Sequence, residues 1–260
     1  VKVAALLIDI DGVLYVGDRP IEGAMGALEA LDERNMPYRF VSNTTRRSRH
    51  SIALRLEDLG FSIPEELIIT SPVAAGARML EEGKSRCYLL TTNDVREDFE
   101  RAGLVVTDRD VDAVIVGDAG ENFTYDRMNR AFRLLMDGAD LIALEKDRYW
   151  MGQEGLMLSA GPFVAALEYA TGRSADLIGK PSREFFINAL RQMGAEPGEA
   201  AMVGDDVRTD IGGAQACGMK GILVRTGKYR EELVRNSGIL PDLVIESLAQ
   251  LPDHLPPRSE

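Results

Sequence analysis

Two acidic clusters follow apolar runs near opposite ends of this chain. Asp9-Ile10-Asp11-Gly12 comes directly after residues 3–8, and Gly204-Asp205-Asp206-Val207-Arg208-Thr209-Asp210 directly after residues 200–203. A short apolar run that ends abruptly in carboxylates and glycine reads as a buried parallel strand opening into a loop. In a doubly wound sheet such loops share one crevice at the carboxyl ends of the strands, so the clusters can meet although far apart in sequence. Carboxylates converging without histidine or cysteine suit a hard, oxygen-loving cation such as magnesium. Asp9 and Asp11, two positions apart on extended chain, can both face that crevice. One carboxylate can attack phosphorus to form an aspartyl phosphate. The other can protonate the leaving oxygen and then help deprotonate the water that hydrolyses the intermediate.

Further groups fit the same chemistry. Ser42 and Asn43 end a second apolar run, where a hydroxyl, an amide and the N–H groups of a nascent helix can cradle phosphate oxygens; an N-cap with its Asx-turn partner is the plainer reading of the same pair. Arg46, Arg47 and Arg49 follow and read mainly as a solvated helix face. Lys180, after the strand containing Leu177 and Ile178 and before a helix, can neutralise a transferring phosphoryl group. Asp205 is the best second carboxylate for a metal, with Asp206 and Asp210 as neighbours that could orient it or hold metal-bound water. Gly117-Asp118 also follows an apolar strand, but it lacks a close acidic follow-up other than Glu121 and reads as a strand-end turn.

The elements that must position these groups alternate between strand and helix. Strands are expected over 3–9, 38–42, 68–70, 87–91, 113–116, 141–144, 177–178, 200–204 and 220–224. Helices are expected over 22–34, 46–59, 72–82, 95–102, 125–136, 162–170, 182–193 and 209–216. The fold class is therefore α/β, a doubly wound, Rossmann-like parallel sheet. The middle of the chain has a complete αβ pattern of its own, so an αβ domain over 77–176 is expected to be inserted into a core of residues 1–76 and 177–260. Residues 252–260, rich in proline and polar side chains, are expected to be poorly ordered.

Composition narrows the partners. At 260 residues the chain can bury a sizeable core, and its net charge of −12 argues against nucleic acid and anionic membranes. The apolar run behind Lys2 is too short for a signal-peptide core or a bilayer span. Cys87 and Cys217 form no CxxC pair and read as buried free thiols in a reducing cytosol, which makes the expected location cytoplasmic.

Taken together, Asp9-Ile10-Asp11-Gly12-Val13-Leu14, Phe40-Val41-Ser42-Asn43-Thr44-Thr45, Ile178-Gly179-Lys180-Pro181-Ser182 and Gly204 through Ile211 resemble the four motifs of the haloacid dehalogenase superfamily. The closest resemblance is to the NagD-like and p-nitrophenyl phosphatase-like branch, which carries a large αβ cap between the second and third motifs. Residues 124–132 and 161–169 resemble cap segments of a subgroup of hydrolase-domain proteins. The resemblance implies that Asp9 is the nucleophile and a magnesium ligand. It implies that Asp11 is the acid/base and offers its backbone carbonyl to the metal, and that Asp205 is the third protein ligand. Ser42, Asn43 and Lys180 would hold the phosphate, and Asp210 would bind the metal through water. Ser42 stands where the branch often has threonine, a change that keeps the hydroxyl. Residues 144–150 differ from the asparagine/aspartate-rich segment of NagD-like members, so their substrate preferences do not carry over.

The expectation is a magnesium-dependent phosphatase of a small phosphorylated metabolite, with a homodimer left open. One rival is a non-enzymatic phospho-acceptor, which has no use for Asp11 or for a cap; another is a phosphometabolite-binding protein whose intact site has negligible turnover. A dehalogenase would not need Asp11, and a phosphomutase would have to exclude water. Substrate choice is assigned to residues 145–159, where Arg148, Tyr149, Trp150, Gln153 and Glu154 combine charge, aromatic surface and hydrogen-bonding capacity.

Overall fold

The computed structural model describes residues 3–152 and 155–256. They fall into two compact units: residues 1–42, 53–69 and 180–260, and residues 43–52 and 70–179.

The first unit is built on a six-stranded sheet ordered Leu243–Ile245, Lys220–Val224, Ala200–Gly204, Ala5–Asp9, Tyr38–Ser42, Ile68–Thr70. Numbered along the chain this is 6-5-4-1-2-3, the doubly wound order in which winding reverses between the first and fourth strands. Ala5–Asp9 and Ala200–Gly204 are buried at every position, as strands covered on both faces must be. They pair in parallel from Ala5 opposite Ala200 to Ile8 opposite Val203, and the other edge of the first strand sets Asp9 beside Val41. Both acidic clusters therefore leave the sheet side by side at the point of reversal.

Helices flank this sheet where the apolar spacing allows. Ala24–Glu33 buries Ala24, Ala27, Leu28 and Leu31, one face of a 3.6-residue repeat. Arg183–Arg191 buries Phe185, Phe186, Ala189 and Leu190. The segment expected as one helix over 209–216 is instead a wide, π-type helix over Val207–Gly212 that continues as Gly213–Ala216. Its start is held by Asp206, whose side chain accepts from the N–H groups of Arg208 and Thr209. The expectation of a poorly ordered end needs correcting for its described part. Leu248–His254 forms 3-10 turns with Leu248 and Leu251 buried, and Leu255 is buried too. Apolar residues spaced among the prolines explain the packing, because each buries its side chain against the sheet unit.

The second unit has a five-stranded sheet ordered Asp176–Leu177, Asp140–Ala143, Ala113–Val116, Arg86–Leu90, Val105–Val106. Along the chain this is 5-4-3-1-2, again doubly wound, with its reversal between Arg86–Leu90 and Ala113–Val116. Thr124 caps Tyr125–Met136 by accepting from Arg127 N–H, and Thr70 caps Ser71–Glu81 in the same way from Val73 N–H. The start of Arg49–Asp58 is capped by acids distant in sequence. Asp94 accepts from Ser48 N–H at 2.7 Å, and both Asp98 oxygens accept from Arg49 N–H at 3.0 and 3.1 Å. Negative charge there complements the helix dipole. Tyr149–Gly152 and Gly155–Leu158 pair antiparallel where the sequence analysis saw only a connection between strand and helix. Cys87 and Cys217 are both buried free thiols, and burial pushes Cys87 up to about 12. Among the described residues, no helix is long and apolar enough to cross a membrane.

Candidate active site

Asp9 is the last residue of the first strand, and Asp205 is the first residue beyond Ala200–Gly204. Asp210 follows one wide helical turn later. One oxygen from each of these three carboxylates lies within 4.8 Å of the other two. All three side chains are buried, and so is Lys180. Lys180 Nζ donates to Asp9 Oδ1 at 2.7 Å and stands 2.7 Å from Asp210 Oδ1. It also reaches the carbonyl of Val41 at 3.5 Å.

Backbone glycine makes this convergence possible. A Cβ on Gly12 would fall 1.9 Å from Asp205 Oδ2, and one on Gly227 would fall at the same distance. Both glycines have positive φ, which admits few other residues. Asp205 Oδ2 also accepts from Lys228 N–H at 2.6 Å, so its carboxylate is fixed from three sides. Gly204 does the same for Asp210, whose Oδ2 would lie 2.3 Å from an added Cβ and accepts from Asp206 N–H at 3.1 Å. The wide helical turn lets Asp210 point back toward the strand end.

Electrostatics set the protonation pattern. Burial raises the Asp9 carboxyl well above its usual range; Lys180 opposes this, while Asp210 and Asp205 push it further up. Burial and then the Asp210 charge lift Asp205 to about 7, against the Lys228 N–H. Burial alone would lower Lys180, but Asp210 and Asp9 outweigh it and raise it, so the ammonium stays charged. With all three ionised, the carboxylates would exceed the single ammonium by two negative charges. Asp210 Oδ1 is buried without a hydrogen-bond partner, its contact with Lys180 being an ion pair alone. An all-oxygen set with excess negative charge fits a hard divalent cation.

The other expected site residues are placed as follows. Asp11 is exposed, outside the carboxylate cluster, and accepts a hydrogen bond from the Tyr15 hydroxyl. Ser42 is buried at the end of its strand, one residue past Val41, the register partner of Asp9. Asn43 belongs to the second unit, where its Oδ1 accepts from Ser71 Oγ at 3.3 Å. Gly179, just before Lys180, leaves no room for a side chain: a Cβ would sit 2.4 Å from both Leu144 O and Ser71 Oγ. Asp206 caps the helical turn beside the cluster.

Within the second unit, Arg46 is not on a solvated helix face. Its guanidinium lies 3.4 Å from Asp118 Oδ2 and 5.5 Å from the Trp150 ring centroid. Asp118 is a turn residue: its Oδ1 accepts from Gly120 N–H at 2.9 Å, and its own N–H donates to Thr45 Oγ1 at 2.8 Å. Glu145 is buried and accepts from Ser159 Oγ, Ala160 N–H and Asp147 N–H, so it closes the base of the hairpin rather than facing solvent. Arg148 and Tyr149 are exposed, whereas Gln153 and Glu154 lie outside the described residues. Gly227 and Lys228 join the site beyond the residues expected from sequence. The signal was present, since Arg225-Thr226-Gly227-Lys228 follows the apolar strand Lys220–Val224 at the same edge of the sheet.

A doubly wound sheet with buried acids and a lysine at its point of reversal can hold a divalent cation and a bound anion together. Comparison with known proteins identifies the class. Residues 6–105 match the family model described as haloacid dehalogenase-like hydrolase, and residues 177–251 match one described as HAD-hydrolase-like. Haloacid dehalogenase-like hydrolase domain-containing protein 2 of Pongo abelii is 46% identical over 251 residues, 96% of this chain and 95% of the relative. The phospholysine phosphohistidine inorganic pyrophosphate phosphatase of Homo sapiens is 40% identical, over 97% of this chain and 94% of the relative. Among solved structures, 4-nitrophenylphosphatase from Thermotoga maritima superimposes with a TM-score of 0.91 at 30% identity, covering 97% of each chain. NagD from E. coli K-12 gives 0.87 at 26% identity, covering 96% of this chain and 98% of that one. A glycerol phosphate phosphatase from Mycobacterium tuberculosis in complex with magnesium gives 0.84 at 28% identity, covering 96% of this chain and 76% of that one. The chain belongs to the haloacid dehalogenase-like hydrolases, in their NagD-like branch. It is a phosphoric monoester hydrolase of that family.

Proposed function

We propose that the protein hydrolyses small phosphorylated metabolites through a phosphoryl group carried transiently on Asp9. The observation that carries this reading is the buried cluster of Asp9, Lys180, Asp205 and Asp210 at the reversal of the sheet. Asp9 and Asp205, with the carbonyl of Asp11, would hold magnesium, which supplies Lewis-acid polarisation of the phosphoryl oxygens. Lys180 holds Asp9 Oδ1 and leaves Oδ2 to attack phosphorus. As the bond between phosphorus and the leaving oxygen breaks, Asp11 transfers its proton to that oxygen. Asp11, now a carboxylate, takes a proton from water while the water oxygen attacks phosphorus and the bond to Asp9 breaks. This restores both groups. Ser42 and Asn43 bind the phosphoryl oxygens, and Asp210 keeps Lys180 charged and in place.

Catalysis is assigned to residues 1–76 and 177–260, and choice among esters to the inserted residues 77–176. Phosphate-holding groups favour phosphates as a class, so discrimination must come from contacts to the leaving group. The named activity of the 40% identical human relative puts phosphoramidates and pyrophosphate beside metabolite esters as substrates to assay. The test is a panel of these compounds with magnesium, with chelator, and with the Asp9→Asn variant. Hydrolysis should require magnesium and vanish in the variant. Full activity in excess chelator, or in Asp9→Asn, would overturn the proposal.

A further inference from the structure

We infer that the second unit carries a ligand site of its own, for a small organic anion with a flat apolar body. It lies in the groove where Val105–Val106 stops short beside Arg86–Leu90. In doubly wound sheets ligands settle outside the carboxyl ends of the strands, and Arg86–Leu90 here runs on past a neighbour of only two residues, Val105–Val106. Its neighbour pairs only with Arg86 and Cys87, and Thr107 N–H closes the ladder on Cys87 O. Beyond that point no strand pairs with this edge among the described residues, and a groove of about 410 Å³ opens along it, within the range of small-molecule sites.

The lining suits an anion. Arg127 spends one N–H on the unladdered carbonyl of Leu89, at 2.8 Å, and its remaining donors face no protein acceptor among the described residues. Arg96 uses Nε on Glu100 and Nη2 on the Val106 carbonyl, which leaves Nη1. The Asn93 amide is likewise without a side-chain partner among the described residues. Behind them Arg130 hydrogen-bonds the Asp108 carbonyl, and its Nε is buried without a partner. Tyr88 supplies an apolar wall, and Thr107 a hydroxyl. Glu100 and Asp108 offset part of the positive charge, which favours one or two negative charges on the ligand rather than a polyanion. Every lining residue belongs to the second unit, whereas Asp9, Lys180, Asp205 and Asp210 belong to the first. The inference does not rest on the proposed reaction.

AMP, which joins a phosphate to a flat heterocycle, is the probe, with adenosine as the uncharged control. Titrations of the full chain in chelator would be followed by backbone amide resonances. AMP should saturably shift the amides of residues 91–96 and 106–108, and adenosine should bind at least about tenfold more weakly. Arg127→Gln should weaken AMP binding by about tenfold or more, and Arg96→Gln and Asn93→Ala, which remove little from the fold, by severalfold. Asp9→Asn should leave these shifts unchanged. Shifts confined to the surroundings of Asp9, Ser42 and Lys180 would overturn the inference. So would equal affinity for AMP and adenosine, an absence of saturation at millimolar AMP, or indifference to all three groove variants.

Discussion

Replacing Lys180 by methionine, similar in length but uncharged, tests how the acidic cluster is kept folded. Lys180 is buried and pairs with two carboxylates at 2.7 Å. Removing one partner of a buried ion pair costs about 3–5 kcal/mol, because the remaining charge has neither water nor counterion. The carboxylates can escape that cost by taking up protons, so the loss must depend on pH. Burial already holds Asp9 above its usual range and Asp205 at about 7. Without the ammonium, Asp9 rises further. A group whose folded pKa is raised binds more protons folded than unfolded, so stability falls as pH rises from the unfolded value through the folded one. The gap between wild type and variant should thus be small near pH 4 to 5 and reach about 3–5 kcal/mol at pH 8. Magnesium should narrow it, since a dication restores the lost positive charge. The single tryptophan, Trp150, lies in the second unit, whereas Lys180 lies in the first. Hydrogen exchange of the strands Ala5–Asp9 and Ala200–Gly204, read by mass spectrometry across pH, is the suitable assay. A loss that is the same at pH 5 and pH 8, or below about 1 kcal/mol throughout, would refute the reasoning.

Further outcomes follow from other contacts. Gly227→Ala places a methyl 1.9 Å from Asp205 Oδ2 at a positive φ, so magnesium-dependent hydrolysis should fall about a hundredfold or more while circular dichroism stays native; wild-type activity would contradict the placement of Asp205. Asp98 is raised to about 6, chiefly by burial and against the Arg49 N–H, so its charged form weakens the fold above that pH. Asp98→Asn should therefore gain stability relative to wild type as pH rises from 4 to 7, by up to about 3 kcal/mol, and a pH-independent difference would refute this. Arg148→Ala should reorder natural phosphate esters by about tenfold while sparing a small aryl phosphate; uniform loss with a lowered Tm would mark the segment as structural.

The parts of this fold that could be read from sequence are those where one local cue decides. Ala5–Asp9 and Ala200–Gly204 are unbroken apolar runs ended by acid, and burial on both faces leaves them no other conformation. Ala113–Val116 and Tyr125–Met136 are legible for the same reason, the latter through its threonine cap and strong periodicity. Asp210 was harder to place. Its entry into the cluster depends on a wide helical turn and on Gly204 having no side chain, neither of which follows from spacing alone. Glu145 opens the stretch assigned to substrate choice, yet it is buried, and its partners Ser159 and Ala160 lie about fifteen residues away, beyond the reach of a local cue. The strand pair Tyr149–Gly152 and Gly155–Leu158 was missed although both strands carry large apolar side chains and the facing ends are glycine. Five of those side chains remain exposed, so burial, the usual signal for a strand, was absent: Tyr149, Trp150, Leu156, Met157 and Leu158.

Acid-quenched single turnover with a labelled phosphate ester asks most directly whether Asp9 carries the phosphoryl group. Rapid mixing with substrate and magnesium, quenching in acid, and peptide mapping at low pH would locate any labelled acyl phosphate; in a parallel sample borohydride would reduce that carboxyl to an alcohol and release the phosphate. The label should appear on the peptide containing Asp9, rise and decay within one turnover, and be absent from Asp9→Asn. Label on a different residue, or full release of phosphate with no covalent phosphoryl group on Asp9 at any time, would contradict the mechanism.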